Sequence, residues 1–123
     1  MSMNLSKRTF LVVLLACASG AASAQAWPSK PIRVVVPFPP GGGLDFYVRT
    51  VVPRLQEALG QQVVVENRSG AGGMIGAEIV AKAPPDGYTL LMSSSAEISI
   101  NQHLYPKIPY DPVKDFAPVS YAS

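Results

Sequence analysis

Cysteine and histidine occur once each in these 123 residues, as Cys17 and His103. A single thiol excludes an internal disulfide, and two such side chains cannot build a cysteine or histidine metal centre. Charge is also scarce. Charged residues make up 15% of the chain, and the ten lysines and arginines exceed the eight carboxylates by only two. The basic residues are scattered, with no basic stripe interleaved with aromatics, so nucleic acid is not an expected partner. There is no Gly-x-Ser-x-Gly elbow and no Gly-Lys-Ser/Thr phosphate loop, and no nucleophile–base pair is visible. The expected sets of catalytic residues, metal ligands and cofactors are therefore all empty. Abundant instead are glycine and proline, ten and twelve residues respectively.

The N-terminus reads as an export signal. Lys7 and Arg8 form a basic region, Phe10 to Ala18 an apolar core, and Ala22-Ser23-Ala24 an A-x-A cleavage site. The apolar run is far shorter than the roughly 20 residues needed to span a bilayer. The expected organisation is a signal peptide over 1–24 and a mature chain over 25–123, delivered to the periplasm with a net charge of zero. An alternative is that Leu14-Leu15-Ala16-Cys17 is a lipoprotein signal that retains a lipidated Cys17.

The glycines sit in two loops of one design. Ile32 to Pro37 is a β-branched run, followed by Phe38-Pro-Pro-Gly-Gly-Gly43 and a helical pattern from about Asp45 to Leu59. Val63-Val-Val-Glu66 is a second such run, followed by Asn67-Arg-Ser-Gly-Ala-Gly-Gly73 and a short helix from Met74 to Ala83. A strand, a glycine loop and a helix N-terminus together hold anions: loop N–H groups point inward and the helix end adds partial positive charge. Asp86-Gly87 then turns into a strand Tyr88 to Met92, followed by Ser93-Ser94-Ser95 and one or two helical turns within Glu97 to Leu104. Pro53 lies inside the first helical pattern and predicts a kink or a 3₁₀ turn near Arg49. Phe116 to Tyr121 reads as the start of a further strand, two residues before the last, which predicts a fragment or truncated product with an open sheet edge. The order β-α-β-α-β predicts an α/β fold with a parallel sheet and flanking helices. Ligands then bind beyond the carboxyl ends of the strands, where all three loops lie.

Many segments match one family in register. They are Trp27-Pro-Ser-Lys-Pro-Ile, Val36-Pro-Phe-Pro-Pro-Gly-Gly-Gly43 with Asp45, and Val65-Glu-Asn-Arg68 with Gly70-Ala-Gly-Gly73 and Gly76. Further matches are Ala83 with Pro85-Asp-Gly-Tyr-Thr-Leu-Leu91, Ile100-Asn101 with Leu104-Tyr105, and Tyr110 to Val119. The chain resembles the N-terminal part of Bug-type receptors, the extracytoplasmic solute-binding proteins of tripartite tricarboxylate transporters. The resemblance implies an incomplete first lobe of a two-domain Venus-flytrap protein, with the second domain absent. It also implies capture of a small organic acid for the transporter's membrane components. Carried over by position, the ligand-binding residues would be Phe38, Gly42, Gly43 and Asp45 in the first loop, Gly73 and Met74 in the second, and Ser93, Ser94 and Ser95 in the third. An isolated part of one lobe would bind weakly and fold marginally. The sequence departs from the family at Leu44 and Glu97, in carrying Pro53, and in length.

Blander and rival roles stand beside these. Asp45 also suits an N-terminal helix cap, which is compatible with shaping the loop, and direct charge contact between it and a carboxylate ligand is not expected. Glu97 suits helix initiation with Ser94 or Ser95 as cap, or a hint of a ligand amine. Gly70-x-Gly72 with Gly76 lacks dinucleotide spacing. The rival of another class is an exported hydrolase using the Ser93–Ser95 loop.

Overall fold

The structure is a computed structural model that describes residues 26–121, so the expected signal peptide, its cleavage site and Cys17 lie outside the described residues. Three strands form one parallel sheet in the order β2-β1-β3: Ile32–Val36 (β1), Val63–Asn67 (β2) and Thr89–Leu91 (β3). β1 is central, with Ile32 opposite Val63 and Val36 opposite Asn67 on one side, and Arg33 opposite Thr89 on the other. A strand flanked on both sides must be apolar almost throughout. Ile32, Val34, Val35 and Val36 are all buried, and only Arg33 is half-exposed.

The helix Gly43–Leu59 (α1) follows β1, and the helix Met74–Ala81 (α2) follows β2. Alternation along β1 sends Ile32, Val34 and Val36 to one face, where Val48 of α1 and Val63 join them. Leu44, Val52 and Leu59 pack around this cluster. Leu55, on the same helix, is exposed. α1 ends at Gly60, whose N–H donates to Gln56 O at 2.9 Å. It runs unbroken through Pro53, so the expected 3₁₀ turn near Arg49 is absent. Anchoring of Val48 and Val52 on the sheet holds the helix through the missing bond.

Two other differences are physical. Residues 116–121 are unpaired, so the expected fourth strand is absent among the described residues. Pro118 cannot donate to a ladder, and Val119 and Tyr121 are exposed. The predicted turns after the third strand are found as a π-helical segment Ala96–Ile100 running into a short helix Asn101–Leu104 (α3).

Candidate functional site

All three post-strand loops emerge at the carboxyl edge of the sheet. The first, Phe38 to Leu44, lines an open concavity of about 760 Å³. The N-terminus of α1, at Gly43 and Leu44, is part of this lining. The first helical bond is Phe46 N–H to Gly42 O at 2.9 Å, and no side chain caps this end. The N–H groups of Gly43 and Leu44 therefore have no intrahelical acceptor and add to the positive end of the helix. Phe38, Gly42 and Gly43 come together in this concavity. Of the other expected site residues, Asp45 lies in the first turn of α1, Met74 begins α2, and Gly73 and Ser93 to Ser95 lie on the two neighbouring loops, all outside its lining.

The second loop turns the wrong way for L-residues. Gly70, Ala71, Gly72 and Gly73 have φ of 132°, 49°, 63° and 86°. The Gly73 N–H closes this left-handed turn on Gly70 O at 3.1 Å. Only glycine adopts such angles freely, which explains three of the four residues; Ala71 bears a strain of about 1–2 kcal/mol. Gly73 is buried and Met74, at the start of α2, is half-buried.

Asp45 is expected in the site but is buried, with 4% of its surface exposed. Its carboxylate accepts from Arg49 Nε at 3.0 Å, Asn67 Nδ2 at 3.0 Å and Gly41 N–H at 2.9 Å. Asn67 Nδ2 also donates to Phe38 O at 3.1 Å, and an Arg49 guanidinium N–H donates to Asn67 Oδ1 at 3.1 Å. Asp45 thus ties the first loop to the second instead of offering a free charge to the concavity. Arg49 was signalled by its i,i+4 spacing from Asp45. Asn67 had no such signal, because its contacts span 22 and 29 residues.

The Arg49 guanidinium, then the Gly41 N–H and the Asn67 amide, hold the Asp45 carboxyl down at about 2, from an ordinary 3.8. In the window between these values the unfolded chain binds more protons than the folded one. Asp45 therefore stabilises the fold above about pH 4, and that contribution is lost as pH falls towards about 2. Melting temperatures across this window should fall less steeply for Asp45→Asn than for the unaltered chain. Identical slopes would show that the network carries no such stability.

The third loop is organised by Glu97, which is fully buried. Ser94 N–H and Ser94 Oγ donate to Glu97 Oε2 at 2.7 and 2.9 Å, while Ala96 N–H donates to Ser94 Oγ at 3.1 Å. This is the reciprocal pattern of a capping box, as the Ser-x-x-Glu spacing suggests. Ser94 is therefore engaged as a helix cap. Ser93 is half-buried, Ser95 is exposed, and His103 is exposed near the end of α3. Asn101 Nδ2 donates to Gly72 O at 2.9 Å, pinning the second loop from below. Among the described residues no cluster of His, Cys, Asp and Glu could hold a metal ion, and no helix is long and apolar enough to cross a membrane.

The sequence profile described as "Tripartite tricarboxylate transporter family receptor" matches residues 47–123. Protein BugT of Bordetella pertussis is 45% identical over 122 residues, covering 96% of this chain and 37% of BugT. A UPF0065 protein of Pseudomonas sp. strain P51, from the tcbD-tcbE intergenic region, is 44% identical, covering 98% of this chain and 37% of that protein. The chain thus spans little more than a third of these relatives. Among solved structures, MatC of Rhodopseudomonas palustris with bound malate is 41% identical at a TM-score of 0.72, covering 76% of this chain and 32% of MatC. A second R. palustris protein, with adipate, is 42% identical at a TM-score of 0.67, covering 70% of this chain and 29% of that one. The α/β unit is shared with the two solved proteins, and the chain belongs to the receptor family of the tripartite tricarboxylate transporters.

Proposed function

We propose that these residues form part of the first lobe of a periplasmic solute-binding receptor that captures a small carboxylate-bearing metabolite. The observation that carries the reading is the uncapped N-terminus of α1 in an open concavity, tied by Asp45 and Asn67 to a second glycine turn on the same edge. An anion there gains oriented N–H donors without bringing a counter-charge. Phe38, Gly42, Gly43, Gly73, Met74 and Ser93 to Ser95 are the contacts of this reading, with Asp45 acting through the loops it holds. Solved relatives that carry malate and adipate support the ligand class. The role is capture and not turnover, as in the receptor family, with delivery to the membrane components of a tripartite tricarboxylate transporter. Residues 1–24 would serve as the export signal.

A flytrap gains affinity when two lobes close and exclude water. Loops on one lobe leave much of the ligand wet, so their hydrogen bonds largely replace bonds to water. The 123 residues by themselves should therefore bind malate and adipate only in the millimolar range or more weakly. NMR titration should shift the amide signals of Gly42 to Leu44 and of Gly73 and Met74 together. Absence of any such shift with a broad panel of mono- and dicarboxylates in the tens of millimolar would overturn the reading. Tight binding by these residues alone would overturn the need for an opposing wall.

A further inference from the structure

Glu97 has a position that capping a helix does not require. One carboxyl oxygen, Oε2, is committed to Ser94 of the third loop. The other, Oε1, is buried and has no hydrogen-bond partner among the described residues. It lies against Gly73 of the second loop: a Cβ built on Gly73 would stand 2.0 Å from Oε1, 2.9 Å from the carboxyl carbon and 3.0 Å from Cγ. The Glu97 backbone is held from the far side, where Tyr110 Oη–H donates to Glu97 O at 2.9 Å. The side chain thus lies between two loops, its Oε2 held by Ser94 and its backbone by Tyr110. A buried polar oxygen left without a partner destabilises the fold unless its position serves another purpose. Helix capping alone would be served equally by a glutamate lying at the surface.

We propose that Glu97 is a positioning residue of the receptor site, the spacer that sets the gap between the left-handed turn Gly70–Gly73 and the loop Ser93–Ser95. The inference rests on the receptor reading above for the word "site", but its packing claim stands apart from it. Position 73 is then restricted to glycine twice over, by φ of 86° and by the Glu97 carboxyl. Glu97 acts through the loops and does not itself touch the ligand, because its side chain is sealed beneath Gly73. Glutamine preserves the length and an acceptor for Ser94, so it should serve as spacer; alanine should not.

The experiment is a double-mutant cycle in the 123-residue chain with Gly73→Ala and Glu97→Ala, read by thermal melting. Each single change lowers the melting temperature. The double variant should melt higher than the sum of the two shifts predicts, because removing the Glu97 side chain removes the clash and leaves only the φ strain. Additive shifts would overturn the spacer. Amide hydrogen exchange supplies the readout that a local cap would not move. Glu97→Ala should speed exchange at Gly73 and Met74 as well as at Ser94, and Glu97→Gln should restore slow exchange at Gly73 and Met74. Faster exchange confined to Ser94 to Ile100 would reduce Glu97 to a cap. With malate and adipate as probes, Glu97→Ala should weaken the response at Gly73 and Met74, and Glu97→Gln should keep it. Loss of that response in Glu97→Gln would show direct ligand contact and overturn the positioning role. A chain that responds to none of the wider carboxylate panel would sink the receptor reading, while the cycle and the exchange data would still decide the spacer.

Discussion

Gly76→Ala should lower the melting temperature by up to roughly 15 °C, and Gly76→Val by more. A Cβ at position 76 would stand 2.8 Å from both Cα and Cβ of Pro37 and 2.9 Å from Arg68 O. None of these atoms can swing aside. Pro37 is fully buried, and Arg68 is fixed by its own N–H, which donates to Val36 O at 2.8 Å. Two effects compete. Alanine is the better helix former by about 1 kcal/mol. Overpacking a fixed core contact costs about 1–3 kcal/mol, and here the contact is with three such atoms. The steric term wins because relief requires α2 to move off β1. That movement would carry Gly73 and Met74 away from the first loop, so the joint amide response to carboxylates should weaken with stability. A Gly76→Ala variant melting at or above the unaltered chain would show that α2 does not approach Pro37 this closely.

Pro53→Ala should have the opposite sign. Pro53 is an exposed residue inside a seventeen-residue helix that continues on both sides. It gives no N–H to the Arg49 carbonyl, and its ring crowds that carbonyl, at a cost of about 3 kcal/mol in a helix interior. Proline also restricts the unfolded chain, which returns about 0.4–1 kcal/mol. Little packing is lost at an exposed site, so alanine should stabilise the fold by about 2 kcal/mol. The readout is a rise in melting temperature with an unchanged chemical-shift pattern at Asp45 and Arg49. A fall would mean that the path proline gives to α1 is needed to hold Arg49 on Asp45 and Asn67.

Much of the fold was legible because it is written in contiguous residues. The run Ile32 to Val36 could only be a strand buried on both faces. Gly60 and the pair Pro84-Pro85 marked where helices stop, and the Gly70-Ala-Gly-Gly73 run announced a turn that other residues resist. The Ser94–Glu97 capping box was also readable, since its spacing is local. Less was readable where a segment needs a neighbour. Residues 116–121 have the composition of a strand, yet a strand is a pairing, and no described strand stands beside them. Pro53 predicts a kink or a 3₁₀ turn near Arg49, and the 3₁₀ turn is absent where Val48 and Val52 pack on the sheet.

The sequence by itself therefore determined the α/β class, the parallel sheet, the two glycine loops at its carboxyl edge and the family. These follow from patterns a few residues long and from motifs in register. Only the tertiary structure decided what the two buried carboxyl groups do. Sheet order β2-β1-β3 sets the end of β1 beside the end of β2. That brings Asn67 to Phe38 and Asp45, and makes Asp45 the tie between loops. The same edge brings Glu97, whose direction the sequence left open, against Gly73, 24 positions away, with its side chain fully buried. Burial of a carboxyl group depends on which distant chain segments close around it, and no local pattern encodes that.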